Sequence, residues 1–231
     1  MSEATAAPAS NGAWLRDLIL GGQDGLVNVL GIVLGVSAAS QDVRVLLAAG
    51  LAATFAEGVS MGAVAWTSSR ALADQYERER KRRQEELRTS PEAARRDLAR
   101  IYAAKGFRDD LLERIVTTIA SDDEVALRTL MNEDLGLEPA DDGSVRRSAL
   151  IVGVATIVGS LIPLVPFFLM PRAVSIWASI GLSAVALFFV GAYEAKTSIG
   201  DWRKKGLQMT LIGLGAAAVG YLAGKVFGAG T

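Results

Sequence analysis

The stretch LILGGQDGLVNVLGIVLGVSAA, residues 18–39, decides the fold. As a helix rising 1.5 Å per residue it covers ~30 Å, the thickness of a bilayer's hydrocarbon core. Within it Asp24 is the single charged side chain. A charge at mid-bilayer costs at least roughly 2.5–3.5 kcal/mol on insertion scales, so it persists where it lines a polar path or binds a cation. Asp24 is therefore the first candidate functional residue.

Four further apolar runs reach spanning length: Val45–Trp66, Ala149–Met170, Val174–Tyr193 and Leu207–Phe227. The chain has 231 residues, 51% of them hydrophobic, yet 21% are charged, so the charges must be segregated. Residues 71–147 hold 33 of the 49 charged side chains, 18 acidic and 15 basic, in about a third of the length. Composition thus separates a membrane part from a water-facing part. A net charge of −1 gives no reason to expect a nucleic-acid partner. With no cysteine and no histidine, disulfides, thiolate sites, imidazole ligands and His-based acid–base chemistry are excluded. Carboxylates, amides, backbone carbonyls and Met sulfur remain as metal ligands. No nucleophile–base pair suggests an enzyme.

The links at residues 40–44 and 171–173 are so short that spans one and two, and three and four, must form antiparallel hairpins. Lys and Arg set the orientation. One side collects Arg16, Arg70, Arg146, Arg147, Lys196, Arg203, Lys204 and Lys205, and the other only Arg44, Arg172 and Lys225. The expected fold is all-α: a tail at 1–12, which reads as disordered, spans one and two in 13–70, a cytoplasmic helical domain at 71–147, and spans three to five in 148–231. The N-terminus and the insert are expected in the cytoplasm and the C-terminus outside.

In the insert, Ala71 to Arg88 continues the second span as one long helix. Ser90-Pro91 opens a second helix as N-cap and first residue, ended by Gly106. A third runs from Arg108 to Ala120. Ser121 with Glu124 reads as a capping box opening a fourth, which stops before Gly136. Residues 138–144 read as a polar linker.

Asp24 and Asn28 are four apart and share a helix face, and Thr54, Glu57, Ser60 and Met61 form a polar stripe on the second span. Facing each other, the stripes offer carboxylate and amide oxygens and a thioether, a set suited to a partly dehydrated divalent cation, with Met favouring Fe²⁺ over Mg²⁺ or Ca²⁺. The alternative is structural: Asp24 as a helix cap, Glu57 snorkelling or paired with Arg, and Met61 filling space. Pro163 and Pro166 either free carbonyls to line a cavity or only kink the third span. Glycines at 31 and 35, 58 and 62, and 220, 224 and 228 permit close helix packing. In the insert, Glu85, Glu86, Asp97, Glu113, Asp122, Asp123, Glu124, Glu133 and Asp134, with Met131, are either a carboxylate cluster across bundled helices or solvated faces and caps.

The order of features resembles the vacuolar iron transporter family over nearly the whole chain. The resemblance rests on residues 18–26 (LILGGQDGL), Ser60-Met61-Gly62, residues 133–137 (EDLGL), residues 159–163 (GSLIP) and the glycine-rich 213–224. It implies a homodimeric, proton-coupled exporter of Fe²⁺, often of Mn²⁺, with no tightly bound cofactor, moving metal from the cytosol to a vacuole or out of a bacterial cell. The lack of targeting signals and the Ala/Arg-rich composition favour a bacterial plasma membrane over a eukaryotic vacuolar one. The family's first-span aspartate falls on Asp24 and its second-span methionine on Met61. Its cytoplasmic metal-collecting residues fall on Glu86, Asp97, Met131 and Asp134. Departures are Arg83 and Ala94 where carboxylates are usual, Leu130 for a second Met, and Ala53 for the second-span glutamate, with Glu57 one turn later.

The sequence therefore reads as a five-span divalent-metal/proton antiporter using Asp24, Asn28, Glu57 and Met61 in the membrane. The competing class is a non-transporting membrane scaffold or metal sensor whose helical insert binds a partner.

Overall fold

A computed structural model describes residues 13–136, 139, 142–197 and 200–228. The expected tail at 1–12 lies outside them. Every regular element among the described residues is a helix: α1 Ala13–Ala39, α2 Val43–Thr89, α3 Pro91–Ala104, α4 Asp109–Ala120, α5 Asp123–Glu133, α6 Asp142–Leu161, α7 Val165–Leu169, α8 Arg172–Thr197 and α9 Trp202–Gly228. Five of them, α1, α2, α6, α8 and α9, are long and apolar enough to cross a membrane. The chain divides into two compact units: one takes α1, α2 as far as Trp66 and the chain from Arg146 onward, and the other is Thr67–Val145.

In the first unit α1 supplies the buried centre through Leu26, Val29, Leu30 and Val33. Glycine decides how closely α1 and α9 approach. A Cβ on Gly220 would run into the Gly31 backbone, and one on Gly224 into the Gly35 carbonyl. The outward surface is apolar, with Trp177 75% and Phe227 85% exposed, as a lipid-facing wall requires.

The tight α1–α2 turn is held by Arg172 at the start of α8. Its guanidinium donates to the carbonyls of Ser37 (2.6 Å) and Ser40 (3.1 Å) and to the Gln41 side chain, satisfying acceptors that the end of α1 leaves open. Asp42 then accepts from the Arg44 N–H at 2.8 Å and caps α2.

The third expected span, Ala149–Met170, is not one helix. It ends at Leu161 and resumes as α7, because Pro163 and Pro166 lack the N–H and crowd the preceding turn. Serines of α8 donate to buried carbonyls at the break: Ser179 to Pro163 O at 2.7 Å, and Ser175 to Pro166 O at 3.0 Å, which also accepts the Met170 N–H. At its other end α6 begins at Asp142, inside the expected linker of 138–144, of which 138, 140 and 141 lie outside the described residues.

The second unit packs α3, α4 and α5 around Ala94, Leu98, Ile101, Val116, Ala126 and Leu130. Gly106 (φ +99°) and Gly136 (φ +61°) adopt the left-handed conformation after α3 and α5. The expected capping box at Ser121 is not formed. Ser121 has helical dihedrals and closes α4, its hydroxyl donating to Thr118 O, whereas the extended residue is Asp122, whose carboxylate accepts from the N–H groups of Glu124 (3.0 Å) and Val125 (3.1 Å).

Candidate metal sites

The helical spacing of Asp24 and Asn28 on α1, and of Glu57 and Met61 on α2, brings the two pairs to one place in the first unit. Asn28, Ile32, Ala53, Ala56, Glu57, Ser60 and Met61 line a groove of about 510 Å³. Across it the Asn28 side-chain N–H donates to Glu57 Oε1. Asp24, one turn before Asn28 and half-buried, interacts with the Glu57 carboxyl. Met61 is half-buried in the groove wall and Ser60 is exposed beside it.

Thr54 departs from the expected stripe. It is fully buried and its hydroxyl bonds back to Gly50 O at 2.8 Å, so it faces the protein interior. The helix-cap reading of Asp24 does not hold, because the residue lies well inside α1. Nor, among the described residues, does any Lys or Arg form an ion pair with Asp24 or Glu57. What remains is a pair of interacting carboxylates, an amide and a thioether in a largely apolar wall. Two protons or one divalent cation neutralise such a pair equally well.

In the second unit, three of the four expected metal-collecting residues converge, but on a guanidinium. Arg83, 7% exposed on α2, donates to Glu86 of α2 at 2.8 Å, to Asp97 of α3 at 2.9 Å and to Asp134, which closes α5. Arg100 of α3 adds bonds to Asp134 (2.7 Å) and Asp97 (3.4 Å). Burial works against the Arg83 charge, but the hydrogen bonds to Asp97 and Glu86 outweigh it and hold its pKa above the ordinary arginine value. For Asp97 too burial opposes the charged form, while the bonds from Arg83 and Arg100 win and hold its pKa below the usual aspartate value. Met131 is 1% exposed, within the packed helices.

The other acids of the insert scatter. Glu85 pairs with Arg88, Glu124 with Arg80 and Glu133 with Lys105, and Asp122 caps α5. Among the described residues no group of three or more His, Cys, Asp or Glu is arranged to hold a metal ion.

Two features escaped the sequence reading. Asp17, 8% exposed on α1, accepts from Ser148 Oγ of α6 at 2.6 Å. Nothing local signals this, since the partners are 131 residues apart. The α8 serines 175, 179 and 183 are all fully buried. Their four-residue spacing was the available signal, a hydroxyl row along one helix face.

The sequence model of the VIT family matches residues 15–225. The chain belongs to the VIT family. It is 30% identical over 216 residues to vacuolar iron transporter 1 of Arabidopsis thaliana, covering 93% of this chain and 86% of that protein. With vacuolar iron transporter 1 of Eucalyptus grandis it shares 31% over 211 residues, 91% and 85% of the two chains. Similarity extends to protein CCC1 of Saccharomyces cerevisiae, 24% identical over 93% of this chain and 69% of that one. As a VIT family member the chain is a multi-pass integral membrane transporter of metal ions and not an enzyme.

Proposed function

We propose that this VIT family protein moves Fe²⁺ out of the cytosol in exchange for protons, with Mn²⁺ as a second cargo, and that the ion passes Asp24, Asn28, Glu57 and Met61. The observation that carries this reading is the α1–α2 groove, where Asn28 bridges to Glu57, Asp24 stands beside it, and no basic side chain among the described residues neutralises either acid. A divalent ion entering from the cytosolic side displaces the protons of the carboxyl pair. A more acidic far side returns the protons and releases the ion, so each ion moved is coupled to proton flow the other way. The Met61 thioether favours Fe²⁺ over harder ions such as Mg²⁺. The names of the relatives, vacuolar iron transporters, support iron as cargo.

The distribution of Lys and Arg supports an orientation with the N-terminus and residues 71–147 in the cytosol and the C-terminus outside. We take the working form to be a homodimer in a bacterial plasma membrane, or a vacuolar membrane in a eukaryote. Fe²⁺ uptake into proteoliposomes with an acidic lumen tests the reading. Asp24→Ala is expected to abolish uptake while leaving helix content intact, and uptake at the parental rate would sink it.

A further inference from the structure

The cluster in the second unit has the composition of a cation site and already contains its cation. Glu86, Asp97 and Asp134 come from α2, α3 and the end of α5, and all three bond to the one guanidinium of Arg83. Arg100 closes the outer side. Three carboxylates carry three negative charges, and the two guanidiniums return two positive ones, the charge a divalent ion would supply. The acceptors are spread along a planar fork, with Glu86 and Asp97 on Nη1 at 2.8 and 2.9 Å and Asp134 on Nη2. A divalent ion needs oxygens converging on one point at about 2.0–2.6 Å.

We infer that Arg83 is a resident cation standing where a divalent metal would otherwise join α2, α3 and α5, so that this cluster assembles the helical unit without metal and does not load cargo. An incoming ion would have to expel a side chain that is 7% exposed and anchored through its own helix. Deprotonation offers no exit, since an arginine keeps its charge at any physiological pH. Cargo therefore reaches the membrane groove without residing on Glu86, Asp97 or Asp134. Removing the guanidinium alone, with its carboxylates left in place, opens a divalent-cation site. The inference does not depend on which residues carry the ion through the membrane.

Titrating the detergent-solubilised full chain with Mn²⁺, and reading free Mn²⁺ by electron paramagnetic resonance, tests it. The parent and an Asp97→Asn/Asp134→Asn double variant are expected to bind the same number of Mn²⁺ ions with affinities that agree within about 2-fold, roughly 0.4 kcal/mol. Arg83→Gln is expected to bind one Mn²⁺ more per chain, and to lose it again when Asp97→Asn is added. If the double variant loses an ion that the parent binds, or binds it ten times more weakly, the carboxylates already serve as a metal site and the inference is wrong. It is equally wrong if Arg83→Gln keeps its helix content by circular dichroism yet binds no additional Mn²⁺. Where Arg83→Gln does not fold, the double variant decides alone, because it retains both arginines and Glu86.

Discussion

The α1–α2 groove and the Arg83 cluster gather the same kind of side chain to opposite effect. In the groove, Glu57 accepts from the Asn28 amide and lies in one wall with Met61, Asp24 stands beside it, and no positive charge is paired to either acid among the described residues. In the cluster, Glu86, Asp97 and Asp134 are spent on Arg83 and Arg100. Acidic residues alone do not make a cation site; whether a built-in cation already neutralises them also counts. A carboxylate pair left unneutralised in an apolar wall is costly and responsive to ions or protons. Carboxylates closed on a buried guanidinium already hold their counter-charge, and breaking such a set is costly.

Transport separates the two regions most visibly. Glu57→Ala removes the carboxylate that lines the groove and is expected to lower Fe²⁺ flux in proteoliposomes on the order of 100-fold. Thr54→Val, on the same helix but facing the interior, is expected to leave flux unchanged. Equal losses in the two variants would mean that the groove has no special role.

On the structural side, Arg83→Ala leaves three carboxylates without their shared partner. It is expected to destabilise the second unit by about 3–5 kcal/mol, read as early loss of hydrogen-exchange protection in α3 and α5. Unchanged protection would show the hub to be dispensable.

Asp97→Asn sharpens the same point through pH. Because the folded pKa of Asp97 lies below its ordinary 3.8, its carboxylate stabilises the fold above that pH, and the contribution is lost as pH falls through the folded value. The variant is expected to cost about 1–2 kcal/mol near neutrality and progressively less in acid, in circular-dichroism melts at a series of pH values. A pH-independent cost would contradict the ion-pair assignment. Smallest is Ser179→Ala, which leaves the Pro163 carbonyl without its hydroxyl and is expected to cost about 0.6 kcal/mol in unfolding titrations. A cost of several kcal/mol would mean that the α6–α7 break depends on that single bond.

Much of this arrangement could be read from the chain. The five spans follow from apolar runs long enough to cross a bilayer, and the α3 and α5 ends from Gly106 and Gly136, which take the left-handed conformation. Spacing of four residues put Asp24 with Asn28, and Glu57 with Met61, on shared faces. What spacing could not fix was rotation about each helix axis. Thr54 therefore counted with the polar stripe although packing turns it inward. Ser121 and Asp122 are adjacent candidates for one cap, and only backbone dihedrals choose between them. The Arg83 hub joins positions 14 and 51 residues apart, a distance over which no local pattern carries information. The arginine was visible as a departure, a basic residue where the resemblance leads one to expect a carboxylate, but its partners were not.

The most direct test sets one aspartate from each region side by side. Asp24→Asn and Asp97→Asn are measured in the same assay, initial Fe²⁺ uptake into proteoliposomes with an acidic lumen, at equal reconstituted protein. Asp24→Asn is expected to abolish uptake, and Asp97→Asn to retain the parental rate at neutral external pH. Parental uptake by Asp24→Asn, or its loss in a folded Asp97→Asn protein, would contradict this expectation.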